Sequence, residues 1–333
     1  AMEQAFRKQK NNRATIEGAI PSEVWKILYR YSLPTKKIIR KGPLEIIKKT
    51  AIGPFQWMCN HMWPIDKKNG KPKCKGKRPV CGVDSYPRAF MRAMLKKRPL
   101  RVRNFAYGAV PGRRREEAIA ISHNCKSKAM KKKKSHILIF RDAAGAFNSV
   151  THTAIEISLS KQLPAAETRL LTTAHRDTHL HLPEHGHFRI RKGTMPGHSI
   201  GGDVFLSVYG DRLEDYGRVK DKTDETACYD NQSVDLSITT FVDDIGEFVV
   251  ADSVEEAHRK CGHNTKHLIE KLAVAGCALE PSKEVAVARW FGSHNKTEAY
   301  LAKDIVTNGQ KTKHARYLGA WPQDNNALHI EID

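Results

Sequence analysis

The stretch Phe241-Val242-Asp243-Asp244 constrains this chain more than any other. Strand-forming residues lead into it (Ile238-Thr239-Thr240) and out of it (Glu247-Phe248-Val249-Val250), and Gly246 follows closely. This pattern predicts a tight hairpin between two short strands, with a pair of carboxylates at its tip. Adjacent carboxylates repel each other, and a shared divalent cation is the usual way to relieve that repulsion. A second run, Ile137-Leu138-Ile139-Phe140, reads as a buried strand that delivers Asp142 at its C-terminal end. Asp142 and the Asp243-Asp244 pair together form a candidate site for two metal ions.

Charge is divided unevenly along the 333 residues. Residues 1–140 carry 35 Lys and Arg against 8 Asp and Glu, whereas residues 141–333 carry 22 against 28. A strongly basic half beside a mildly acidic one suggests a part that grips a polyanion and a part that holds metal. Trp25, Tyr29, Phe55, Trp57, Trp63, Phe90 and Phe105 interrupt the basic half, which argues for packed structure there and against a disordered tail. No apolar run approaches the roughly 20 residues of a membrane span, and no signal-peptide pattern opens the chain. The seven cysteines form no Cys-x-x-Cys pair, and Cys59, His61, Cys74 and Cys81 match no common zinc spacing. A reducing, intracellular location is the expectation.

The periodicities predict helices over most of residues 1–50, over 85–99, 116–130 and 254–275, and across 150–170. Asn69-Gly70 marks a hairpin turn within 64–82. Short strands are expected at 188–190, 285–287 and 316–319, and a helix from Val204. Residues 215–236 and 307–313 read as surface loops. His175, His179, His181, His185 and His187 read as an exposed loop, with metal binding as the other reading.

The order of these elements resembles that of a reverse transcriptase of the non-LTR retrotransposon or group II intron type, over residues 60–325. Asp142-Ala143-Ala144-Gly145-Ala146-Phe147 is similar to the first palm motif of that family. The segment from Gly193-Thr194-Met195-Pro196-Gly197 to Phe205 is similar to the second, and Phe241-Val242-Asp243-Asp244 to the third. Ala275-Gly276-Cys277-Ala278-Leu279-Glu280-Pro281-Ser282-Lys283 resembles the fourth, and Arg316-Tyr317-Leu318-Gly319 the fifth. Arg78-Pro79-Val80 and the stretch 107–113 resemble finger motifs. Three positions depart from the family pattern: Asn148 where it has Asp, Pro196 where it has Gln, and Gly201-Gly202 in place of Ser-Pro.

The resemblance implies an α+β right-hand polymerase with fingers and palm, an antiparallel palm sheet with helices on one face, and a thumb absent or truncated. The implied organisation is an N-terminal helical extension at 1–60, basic fingers at 61–136 and a palm at 137–333. Asp142, Asp243 and Asp244 would hold two Mg²⁺ ions (or Mn²⁺), with Lys283 as an acid near the leaving group. Lys77, Arg78, Phe147 and Gly197 would contact the nucleotide, and Tyr317, Leu318 and Gly319 would grip the primer. The aromatic ring of Phe147, five residues after the metal aspartate, favours deoxynucleotides. The implied partners are an RNA template, a DNA primer or RNA–DNA hybrid, dNTPs and further domains of a longer polyprotein, in a nuclear setting and away from membranes. A catalytically decayed nucleic-acid-binding remnant, an RNA-dependent RNA polymerase and a non-catalytic basic scaffold remain the other readings.

Overall fold

The computed structural model describes residues 2–11, 19–66, 76–183, 185–194, 198, 200–221, 226–229, 232–301 and 310–312. In chain order its elements are α1 (Met2–Arg7), α2 (Ser22–Tyr31), α3 (Leu33–Lys41), α4 (Pro43–Thr50), β1 (Cys59–Asp66), β2 (Lys77–Gly82), α5 (Ser85–Lys97), α6 (Arg115–Lys131) and β3 (Ser135–Asp142). Then come α7 (Ala146–Ser149), α8 (His152–Ser160), α9 (Ala165–Arg176), β4 (His179–Leu182), β5 (Gly186–Arg189), α10 (Gly201–Gly217), β6 (Thr226–Tyr229) and β7 (Gln232–Asp235). The last are β8 (Ile238–Phe241), β9 (Asp244–Ala251), α11 (Val254–Val274), β10 (Val285–Arg289), α12 (Ser293–Leu301) and β11 (Gln310–Thr312). The class is mixed α+β. No helix among the described residues is long and apolar enough to cross a membrane.

Contacts divide the chain into two compact units, each made of two stretches: Ala1–Arg101 with Phe147–Val208, and Val102–Ala146 with Tyr209–Asp333. These units are discontinuous in sequence and do not coincide with the limits 1–60, 61–136 and 137–333.

In the first unit the aromatics of the basic half find their purpose. Phe6 of α1 packs against Trp25 and Tyr29 of α2 and Tyr86 of α5, with ring centroids 5.5–6.0 Å apart, and Trp57 adds to the same cluster. Such ring pairs contribute about 0.5–1.5 kcal/mol each beyond the area they bury. A four-stranded sheet of order β2-β1-β4-β5 completes the unit, with β1 and β2 antiparallel and β1 and β4 parallel. The hairpin legs expected around Asn69-Gly70 are therefore present, and the turn itself lies outside the described residues.

The second unit is built on a five-stranded sheet of order β11-β10-β3-β9-β8, antiparallel except between β10 and β11. Its helices lie on both faces, which corrects the one-sided expectation. Ile137 and Ile139 of β3 face the α11 side with Val249, Ala257 and Cys261, while Leu138 and Phe140 face Cys125 and Ala129 of α6. Two-sided burial is why β3 reads as an uninterrupted apolar run instead of an alternating one. α11 starts where Ser253 Oγ accepts from Glu256 N (3.0 Å) and the Glu256 carboxylate accepts back from Asp252 N (2.7 Å). The first bond satisfies a donor that a helix start leaves open, and the second ties the residue before the cap to the first turn.

Beneath the end of the sheet lies a buried ionic cluster. Arg141 donates to Glu247, to Glu284 at 3.3 Å and to Thr265 at 2.8 Å, and Glu247 also accepts from Tyr216 (2.5 Å) and Asn264 (2.8 Å). Burial opposes the guanidinium charge, but Glu247 and Glu284 overcome it and hold the pKa above its usual value. Removing Arg141 would strand two buried carboxylates, a loss of about 3–5 kcal/mol.

Four further expectations change. The helix expected over 150–170 breaks at Pro164, which caps α9 after α8 has ended at Ser160. Residues 215–236, expected as a loop, include the end of α10 and the β6–β7 hairpin. Residues 307–313 include β11, which pairs with β10. His179 and His181 lie in β4 and His187 in β5, whereas His175 is fully buried in α9. The strand expected at 316–319 lies outside the described residues.

His175 forms a buried trio with His198 (ring centroids 5.6 Å apart) and the half-buried His152. Burial, then Arg88, pushes His198 down to about 4; burial, then His198 and His152, pushes His175 well down. The unfolded chain therefore takes up protons first. The stability that neutral His198 contributes is complete above about 6.5 and lost as the pH falls toward about 4, up to about 3 kcal/mol, and His175 acts in the same direction. Denaturant melts of wild type and His198→Gln across that range test this, the variant being the flatter with pH.

Candidate functional site

The register of two strands assembles the site. Asp142, the last residue of β3, stands directly opposite Asp244, the first residue of β9. Opposed residues of an antiparallel pair lie about 4.5–5.5 Å apart at Cα, with side chains on one face. Phe241 pairs with Asp244 across the next ladder, which leaves Val242 and Asp243 as a two-residue turn. Gly246 sits within β9 and takes no part in this turn.

Val242 adopts a φ of 64°, a left-handed conformation that is unusual for a β-branched residue. Such backbone costs of order 1–3 kcal/mol and persists only where its surroundings enforce it. A strap from the segment after residue 102 does so here. Tyr107 N donates to Thr240 O and Thr240 N to Phe105 O, both at 2.8 Å, so the strap lies along β8. Gly108 then passes under the turn: a Cβ built there falls within 2.7 Å of the Phe241 carbonyl carbon and of Val242 Cγ2. The Arg113 guanidinium fixes the strap from below, donating to the carbonyls of Arg103 (2.7 Å), Asn104 (3.1 Å) and Ala106 (2.5 Å). Only the resemblance flagged the stretch 107–113, as a finger motif. No periodicity signals that it buttresses the aspartate turn.

The electrostatics follow from three acids in one place. Burial, then the charges of Asp243 and Asp142, pushes the Asp244 carboxyl up to about 6, with Lys283 working against the shift. Burial also raises Asp243, and Asp142 adds to the effect. Lys283 Nζ donates to Asp142 Oδ2, and that bond raises the ammonium pKa. Lys283 reaches this place because Ala143 bridges Leu279, Ala144 N donates to Ala278 O (2.8 Å) and Glu280 N donates to Asp142 O (2.9 Å). Tyr209 of α10 is fully buried below the turn, with its hydroxyl donating to Asp243 O at 3.4 Å. Burial, then Cys277 and the three acids, holds that phenol well above its usual range. Tyr209 was not singled out from the sequence, where it is one apolar-face residue of a helix.

The donor set of these acids is all oxygen, which suits a hard cation such as Mg²⁺ or Mn²⁺. Among the described residues no three His, Cys, Asp or Glu side chains already close around one point. Mg²⁺ characteristically uses one or two carboxylates together with waters and substrate phosphates, so the donors present fit it without a closed cage. The Lys283 ammonium on Asp142 shows that this end of the sheet accepts a positive charge.

The first unit holds the remaining described candidates. Phe147 stacks on Phe205 of α10 (centroids 4.6 Å apart, planes at 24°). The segment Gly193-Thr194 closes over it: Thr194 N donates to Phe147 O (2.6 Å) and Gly193 N to Val150 O (2.7 Å). Gly193 has a φ of 107°, and a Cβ there would meet Phe147 O and Asn148 Cα at 2.9 Å. The glycine of the second motif thus permits the approach that fixes the aromatic ring of the first. Lys77 pairs with Asp66 across the β1–β2 hairpin (2.6 Å) on an exposed surface, and Arg78 lies in β2 opposite Ile65. Gly197, Tyr317, Leu318 and Gly319 lie outside the described residues.

Compared with protein-family models and with curated proteins, the chain matches none.

The buttress predicts that Gly108→Ala costs about 1–3 kcal/mol by overpacking the turn. Gly202→Ala, on open helix surface, should be neutral or stabilising. Urea denaturation of the two variants checks the contrast.

Proposed function

We propose that this chain is an RNA-directed DNA polymerase of the reverse transcriptase type, which extends a primer 3′-hydroxyl with deoxynucleotides. The observation that carries the reading is the register that sets Asp142 opposite Asp244, with Asp243 in the intervening turn and Lys283 bound to Asp142. The motif order described above and the basic first 140 residues support it.

Asp142 and Asp243 would supply the metal-binding oxygens, with Asp244 as the supporting carboxylate. Two bound Mg²⁺ ions would lower the pKa of the primer hydroxyl and neutralise the triphosphate as pyrophosphate leaves. Tyr209 holds the backbone of Asp243 from below, and the Gly108 strap holds the turn from the side, so the carboxylates stay positioned before substrate arrives. Lys283, held at the site by its bond to Asp142, would serve as the proton donor to the departing pyrophosphate. The Phe147 ring, fixed by Phe205 and Thr194, would stand where a ribose 2′-hydroxyl would clash. The hybrid would be held through its phosphates and A-form shape, with binding that weakens steeply in salt.

Primer extension on an RNA template tests the reading. Incorporation of dNTPs should require Mg²⁺ and fall by at least about a thousandfold in Asp243→Ala, a loss of roughly 4 kcal/mol in transition-state stabilisation. Salt-sensitive RNA binding without incorporation would mark a decayed remnant instead. Phe147→Ala should raise the use of NTPs relative to dNTPs, measured as a ratio of kcat/KM values. A wild type that already prefers NTPs, with no change in the variant, would indicate an RNA polymerase.

A further inference from the structure

The four-stranded sheet of the first unit carries a second constellation that polymerase chemistry does not use. Parallel pairing of β1 with β4 sets His61 beside His181, and antiparallel pairing of β4 with β5 sets His181 beside His187. Paired residues project to the same face, so three imidazoles form one row across three strands. Ring centroids are 5.0 Å apart for His61 and His181 and 4.4 Å for His181 and His187. The row borders an open depression of about 400 Å³, which Cys59, Asp84 and His179 also line. His181 Nδ1 is buried there with no hydrogen-bond partner. A buried imidazole nitrogen left unsatisfied is costly, and a metal ion is one group that satisfies it.

Two imidazoles on a tetrahedral ion at 2.0–2.1 Å place their ring centroids roughly 5 Å apart, close to both observed spacings. Among the described residues no three ligands already converge. β4 lies between β1 and β5, so the His61 and His187 rings must both swing over His181 for the three to share one ion. An all-imidazole set selects a borderline transition metal over magnesium. We propose that His61, His181 and His187 bind one zinc-class divalent ion, with the fourth position left to solvent. The ion would tie together strands drawn from two distant stretches of sequence. It would stabilise the first unit by mass action independently of the aspartates of the second.

Cobalt(II), added to the intact chain with excess Mg²⁺ present to fill the carboxylate site, is the direct probe. One equivalent should bind with the visible absorption of a tetrahedral nitrogen site, and Zn²⁺ should displace it and raise the melting temperature. His181→Gln and His187→Gln should each weaken cobalt binding more than about tenfold. His185→Gln, in the β4–β5 turn, should leave it unchanged. His187 lies on an exposed edge strand, so its variant carries the test if His181→Gln fails to fold. Absence of the cobalt absorption in wild type would overturn the proposal, as would binding that survives both substitutions. Neither result depends on primer extension.

Discussion

Three carboxylates meet at one end of the five-stranded sheet because β3 and β9 pair in a single register. Their mutual repulsion is the constraint around which the second unit is arranged. Two like charges 4 Å apart repel by about 4 kcal/mol at an effective dielectric of 20, too much to hold without compensation. Part of that compensation is visible in the raised pKa values of Asp243 and Asp244 and in the Lys283 ammonium on Asp142. The register itself is enforced from both faces, by α11 against Ile137 and Ile139 and by α6 against Leu138 and Phe140. A slip of one residue would drive Asp142 toward the α11 face and Arg141 out of its buried ionic cluster.

Departures from local preference concentrate at the same place. Val242 is left-handed, Gly108 is pressed against its backbone, and the Tyr209 hydroxyl is spent on a loop carbonyl. Sequences usually break local rules where a site must be held in a shape the chain would not choose unaided. The proposed polymerase chemistry supplies a reason: carboxylates fixed before substrate binds need no reorganisation during the reaction.

Much of this arrangement was legible in the residues. The apolar run of β3, the hairpin flanking Asp243 and the inward positions Ala257, Leu268 and Leu272 of α11 follow from local pattern, and the α+β class follows from them. The illegible parts depend on contacts between distant segments. A continuous apolar strand implies two covered faces, yet nothing local says which helices cover them. The histidines read as a loop because short polar strands carry little periodicity, and pairing with β1 makes them strands. The same holds for β11, whose pairing with β10 is invisible in residues 307–313. Tyr209 and Gly108 act through space on a turn more than thirty residues away. The link between Gly193 and Phe147 was half legible: both were singled out, but their contact was not.

Iron(II) substituted at the carboxylate site, with peroxide and ascorbate added, generates hydroxyl radicals that cut the backbone beside the bound ion. Mapping the fragments tests most directly whether Asp142 and Asp243 share a cation. Cuts should fall near both 142–144 and 241–245, be suppressed by Mg²⁺ and disappear in Asp243→Ala. Cleavage confined to one of these segments, or insensitive to Mg²⁺, would contradict a shared cation and the polymerase proposal with it.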